Sequence, residues 1–395
     1  MNFPQEPEHD STIRIANCGR RKELKQTQFM GGEQDGAAQE GFHVPSGTDG
    51  CESCPELASA ELIRRTLGGL HAPRVPIGPL AVHYCARLAG VSIREFSTSS
   101  RVMVDCILRY YERFRPDAVW LSADTWVSAE AMGATVGALA DDQPLGGLGG
   151  PRIRRAADID CIPPPRVESQ GRYPLMLDAL ARLAERLGKD VFIVVCFDQY
   201  PFSLAAALMG INEIMVKVIE DRPGVEALME RCLEYGLAYG RALSEGGADM
   251  LSGGDSPAGL LGPRIYRELA LPYEQRLIAG LKRTARQPIS LHICGNSLPM
   301  LGSMAESGAD VLEIDHQVDL AHACRMVSPQ LTLWGNLDPV SLLANGTAAE
   351  IRQAALQAIA IARAYGRRRF VLSSGCTLAM ETPEENLDAL FRCEY

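Results

Sequence analysis

The sequence predicts an α/β chain closed as a (β/α)8 TIM barrel, preceded by an N-terminal extension. Three observations carry this reading. From Arg74 onward, short runs rich in Val, Ile and Leu alternate with longer segments of helical period, the pattern of parallel strands joined by helical crossovers. Eight such runs occur over about 320 residues, the count that closes a barrel. An open doubly wound sheet, the alternative, needs a glycine-rich nucleotide loop after its first strand, and VPIGPLAVHY is not one.

Residues 1–70 form the extension, polar and glycine-rich through GGEQDGAAQEG and VPSGTDGCESC, with a helix predicted only over Leu57 to Leu70. Residues 71–395 form the barrel. Its strands are predicted at Val75–Pro79, Ala118–Ser122, Val191–Phe197, Met250–Gly253, Ile289–Cys294, Val311–Asp315, Leu331–Gly335 and Phe370–Ser374. Between them, 225–243 carries an apolar stripe of Val225, Leu228, Met229, Cys232 and Leu233, and 348–364 carries one of Ile351, Ala355, Ile359 and Ala362, so both read as helices lying over a sheet. Thr347-Ala-Ala-Glu350 and Thr382-Pro-Glu-Glu385 are capping-box sequences, the second with proline at the first helical position. Residues 135–170 elaborate the link between the second and third strands, and Leu145-Gly-Gly-Leu-Gly-Gly-Pro151 within them is hairpin material able to cover a pocket.

With 395 residues, 46% of them hydrophobic, the chain supplies a large core that needs no covalent support. Its 12 scattered cysteines therefore read as reduced thiols in a cytoplasmic setting. Lys plus Arg number 39 against 49 for Asp plus Glu, a net charge of -10 with no basic tail, which excludes nucleic acid as a partner. Apolar runs such as Val191–Phe197 are far too short to span a membrane, and MNFPQEPEHD lacks the regions of a secretion signal. Cys51-Glu-Ser-Cys54 has the spacing of half a zinc knuckle or a redox pair, but no second pair follows and it reads as incidental. Arg367-Arg-Arg369 precedes the last strand and reads as a solvated turn on the face away from the chemistry.

Candidate chemistry sits at the strands' C-terminal ends. In Leu291-His-Ile-Cys-Gly-Asn296, side chains at i and i+2 face the same way, so His292 and Cys294 share one pocket, either as metal ligands or as a core histidine beside a thiol. Asp315 ends the next run and Cys376 follows the last, where a glycine turn would favour its thiolate. A set of His292, Cys294, Cys376 and Asp315 suits zinc, which accepts mixed S, N and O donors. Asp198 and Asp255, near the ends of the third and fourth strands, are candidates for orienting substrate or moving its proton, or else turn residues. His316 and His322 are weaker candidates, His322 reading as a surface residue. Trp120 and Trp126 flank Asp124, and Tyr200 and Phe202 stand beside Asp198; these aromatics either wall a pocket or pack in the core.

Several segments together resemble the uroporphyrinogen decarboxylase superfamily, and within it the cobamide-dependent zinc methyltransferase branch. They are His292-Ile-Cys294-Gly-Asn296, Gly308-Ala-Asp-Val-Leu-Glu-Ile-Asp315, Trp334-Gly-Asn-Leu-Asp-Pro339, Ser374-Gly-Cys376 and Thr382-Pro-Glu-Glu-Asn-Leu387, with Asp198-Gln-Tyr-Pro-Phe202 and Gly254-Asp-Ser256 upstream. The resemblance runs from about Val75 to the C-terminus. It implies a barrel fold, a catalytic zinc on His292, Cys294 and Cys376, and methyl transfer between a corrinoid (cobalamin) protein and a small acceptor or donor such as a thiol, folate or methoxylated compound. Asp315 resembles the acidic zinc ligand of cobalamin-independent methionine synthase, and Asp124 the aspartate that the decarboxylase sets on pyrrole nitrogens. The decarboxylase's arginine segment is replaced here by Pro76-Ile-Gly-Pro-Leu-Ala-Val-His83-Tyr84, which argues against a porphyrinogen substrate. Decarboxylation and a non-catalytic corrinoid-protein-binding barrel are the alternatives. Oligomeric state, a homodimer included, is left open.

Overall fold

Seven of the eight apolar runs form parallel strands: β1 (Ala118–Leu121), β2 (Phe192–Gln199), β3 (Met250–Gly254), β4 (Ser290–Ile293), β5 (Val311–Ile314), β6 (Thr332–Leu337) and β7 (Phe370–Ser374). They hydrogen-bond in chain order as one curled sheet. The computed structural model describes residues 57–137, 145–146 and 150–393, so Cys51 and Cys54 lie outside the described residues. Within the described part β1, β5 and β7 are buried along their whole length, as expected of parallel strands covered on both faces.

The predicted first strand, Val75–Pro79, is not a strand. Pro76 and Pro79 have no N–H to donate, so the segment cannot sustain a ladder. It makes one parallel bridge, Ile77 to Leu372 on β7, and Ile77 O accepts the Asp117 amide beside β1 at 2.9 Å. Residues 76–78 therefore link the first and last strands. The spare Ile77 amide is taken by the Asp117 carboxylate at 2.8 Å, itself paired with Arg74.

Helices pack outside the sheet as the stripes foretold. Arg222–Glu245 buries Val225, Leu228, Met229, Cys232 and Leu233, and Ala348–Ala364 opens on the Thr347–Glu350 capping box. The second predicted box does not form. Thr382 Oγ1 donates to Ala379 O, and the last helix begins at Glu384 with no side-chain cap. Helix Ser59–Gly68 buries Ala60, Leu62 and Ile63 at the strands' N-terminal ends, where its Ala60 amide meets Asp190 O and Arg369 reaches Gly68 O.

Arg367 departs from its expectation as a solvated residue. It is buried and donates to the carbonyls of Val327, Ser328 and Leu331, closing the loop that leads into the strand at Thr332. Among the described residues no single helix is long and apolar enough to cross a membrane. The pair Pro201–Met209 and Ile211–Glu220 passes that test jointly, but it bends by 110° and its first member is packed in the core.

Candidate metal centre and its cavities

His292 sits on β4 opposite Glu313 of β5, and the Glu313 carbonyl lies 3.0 Å from His292 Nδ1. A carbonyl can only accept, so Nδ1 carries a proton and Nε2 is the nitrogen turned toward the thiols. That nitrogen lies 3.0 Å from Cys294 Sγ, two residues on along the same face. Cys376 comes from the far side of the mouth. Gly375, bonded through its amide to Leu337 O, passes so close to β5's end that an added Cβ would stand 2.3 Å from His316 N. Only glycine allows that approach, and it delivers Cys376 Sγ to 3.7 Å from Cys294 Sγ.

The three donor atoms lie within 4.8 Å of one another. One imidazole with a fixed tautomer and two thiols form a donor set suited to a borderline-soft divalent ion, and the carbonyl on the outer ring nitrogen is the usual second partner of a ligating histidine. The hydrogen bond between the thiols places the anion on Cys294, whose pKa falls to about 7, while Cys376 is pushed up by that same bond and by burial. This reverses the expectation that the glycine turn favours a Cys376 thiolate. Burial opposes a charged His292, but the Cys376 thiol and the Glu313 carboxylate outweigh it and raise the imidazole to about 9.

Asp315 is not among the converging donors: its Oδ1 accepts the Gln317 amide at 2.9 Å and stands 3.0 Å from His316 Nδ1. Glu313, which the sequence reading passed over inside an apolar run, is buried behind His292. Its Oε1 accepts the Ser252 hydroxyl at 2.7 Å and that of Ser290 as well.

One cavity adjoins the cluster and a second shares part of its wall. An inner one of about 170 Å³ is lined by the three donors together with His83, Trp120, Asp124 and Glu313, and an outer one of about 530 Å³ by Trp126, Pro151, Ala207, Ile211 and Pro257 among others. Thr125, Asp198, Gly254 and Ser256 line both. Gly150 and Pro151, from the glycine-rich elaboration, contribute to the outer wall. Tyr200 and Phe202 do not wall a pocket; both are fully buried, and the Tyr200 hydroxyl donates to Ser290 O at 2.7 Å.

Asp198 stands at the junction. Its backbone is held at φ 81°, a left-handed conformation costly for a non-glycine residue. Oδ2 accepts the Ser128 amide at 2.7 Å, whereas Oδ1 has no partner, and burial raises the carboxyl to about 7. His83 was visible in the sequence only as part of the segment lacking arginine. Its Nε2 lies 2.8 Å from Ala123 O, its Nδ1 has no partner, and burial lowers its pKa.

Asp124 and Asp255 make their bonds within the protein. Asp124 receives Arg172 through both terminal nitrogens and the Trp126 amide at 2.7 Å, while Arg172 Nε also pairs with Glu130 at 2.5 Å. Asp255 is fully buried and lines neither cavity; its Oδ1 accepts the Ser203 amide at 2.9 Å and the Ser203 hydroxyl. Burial raises it to about 6, beside Glu274, whose Oε2 accepts the Tyr266 hydroxyl at 2.6 Å.

Residues 58–394 match the family Uroporphyrinogen decarboxylase (URO-D). The chain belongs to this family. Relatives with two different named activities are similar to it. Methylcobamide:CoM methyltransferase MtbA of Methanosarcina acetivorans is 31% identical over 227 residues, covering 57% of this chain and 64% of its own length, just under two thirds. Uroporphyrinogen decarboxylase of Trichodesmium erythraeum is 29% identical over 308 residues, covering 76% and 84%. Among solved structures, a methyltransferase from Methanosarcina mazei superposes with a TM-score of 0.77 at 25% identity, covering 86% of this chain and 98% of that one. The fold is thus methyltransferase-like and related to that of the family's corrinoid methyltransferases.

Proposed function

We propose that this URO-D family member is a zinc-dependent methyltransferase that moves a methyl group between a corrinoid carried by a partner protein and a small thiol or methylated compound. The observation that carries the reading is the convergence of His292, Cys294 and Cys376 at the mouth of the barrel, with Cys294 exposed to whatever docks there. Decarboxylation, the family's other activity, acts on a polycarboxylate, and among the described residues neither cavity has a lysine or arginine in its lining to receive one.

Zinc held by the three side chains would supply Lewis acidity, favouring a sulfur anion or polarising an ether oxygen. The protein's own groups do the rest. The Glu313 carbonyl fixes the His292 tautomer, and Ser252 and Ser290 fix the Glu313 carboxylate behind it. Gly375 sets the reach of Cys376. With a pKa of about 7 and a free oxygen, Asp198 is suited to take the proton that a thiol sheds as its sulfur forms the new carbon bond. The bonding pair of the broken methyl bond stays with the donor. Asp124 and Asp255 are positioning residues that hold the walls through Arg172 and Ser203. The corrinoid partner meets the C-terminal rim face-on, where Cys294 is exposed.

The test is methylcobalamin demethylation with and without an added thiol. Thiol-dependent loss of the cobalt–carbon bond, with the methyl thioether as product, is expected; porphyrinogen turnover in its place would overturn the reading.

A further inference from the structure

The geometry points to a substrate with a small apolar body and a neutral or cationic hydrogen-bond-donating head, and not an anionic one. This rests on the methyl-transfer reading of the site and specifies its substrate class.

Size comes first. The chamber beside the three donors holds about 170 Å³, a volume that admits a small molecule and not a macrocycle, and the apolar outer cavity of about 530 Å³ leads into it. Polarity follows from which atoms are left without partners. Asp198 lines the inner wall, and its buried Oδ1 has none; once the carboxyl is ionised, above about pH 7, it can only accept. His83 Nδ1 has none either. Because Nε2 faces the Ala123 carbonyl it must be the protonated nitrogen, which leaves Nδ1 a lone pair and makes it a second acceptor.

Charge points the same way. Asp124, Asp198 and Glu313 all line the inner chamber, while the Arg172 guanidinium behind Asp124 is engaged by Asp124 and Glu130. Neither cavity has a lysine or arginine among its described lining residues. A sulfonate or carboxylate held here would give up its water with no lysine or arginine in the described lining to replace it. An ammonium, amide or hydroxyl brings the donors that these two unpartnered acceptors lack.

The experiment uses three thiols of matched length on the full chain: 2-aminoethanethiol, 2-mercaptoethanol and 2-mercaptoethanesulfonate. The expected kcat/KM for methylation from methylcobalamin is at least about tenfold higher for the amine than for the sulfonate, with the alcohol between. Asp198→Asn is expected to shrink the amine-to-alcohol ratio, since it removes the negative charge that separates them. A sulfonate equal to or better than the amine overturns the inference, whatever the variant does.

Thermal stabilisation by the corresponding S-methyl thioethers separates this inference from the reaction itself. If no thiol is methylated but the amine thioether still stabilises the protein and the sulfonate does not, the substrate class stands and the methyl-transfer reading falls. Equal stabilisation by both thioethers overturns the class.

Discussion

The sulfur atoms of Cys294 and Cys376 lie 3.7 Å apart although 82 residues separate them. Two strands, β5 and β6, intervene in the sheet, so the approach is made across the mouth and not along an edge. What permits it is the close passage of Gly375 over the Asp315–His316 backbone.

Gly375→Ala tests that dependence. A methyl group 2.3 Å from His316 N forces the turn outward and carries Cys376 with it. Metal affinity, measured by competition with a chelator, is expected to fall roughly 10- to 100-fold, as when a ligand loses its support. Urea unfolding is expected to show a loss of about 1–3 kcal/mol from overpacking.

Asp198→Asn tests the proton carrier. Burial raises this carboxyl to about 7, so the base form is the minor one below neutrality and the major one above it. The kcat/KM of the wild-type protein should rise with pH and level off above about 7. In the variant that limb should vanish; an unchanged limb would assign the ionisation elsewhere.

Asp255 tests linkage between burial and stability. Its folded pKa, raised by burial to about 6, lies above the ordinary carboxylate value, so the folded state binds the proton more tightly than the unfolded chain. That contribution is fully present below the unfolded pKa near 4 and is lost as pH rises through about 6. Asp255→Asn keeps an oxygen for Ser203 and removes the ionisation, so its Tm should fall less than that of the wild type between pH 4 and 8. Asp198 acts in the same direction at slightly higher pH, and so the flattening will be partial.

Arg172→Met tests the wall behind the inner chamber. It strands the Asp124 carboxylate, only 1% exposed, without its cation. Loss of one partner from such a pair costs about 3–5 kcal/mol by denaturant unfolding, and adding Asp124→Asn should restore a large part of it.

Much of this architecture was legible in the residues. Apolar runs such as Val311–Ile314 and stripes such as Val225 to Leu233 report burial directly, and a period of two placed His292 and Cys294 on one face. The misreadings share a cause: they depend on partners far away in the chain. Val75–Pro79 had the composition of a strand, but its prolines leave only Ile77 to bridge. Arg367 looked solvated because the carbonyls of Val327, Ser328 and Leu331 that it serves lie 36 or more residues earlier. Glu313 and His83 gave no local signal, since what distinguishes them is the cavity they line and the atoms they face. Asp198 was visible as a strand-end carboxylate, but not its left-handed backbone or its unpartnered oxygen.

Zinc content of the purified protein tests the central claim most directly, measured for the wild type and for Cys294→Ser and Cys376→Ser alongside methyl transfer from methylcobalamin. The expected result is about one zinc per chain in the wild type, with metal and transfer lost together in both variants while the fold is retained. Full zinc occupancy in both variants, or undiminished transfer by metal-free protein, would contradict it.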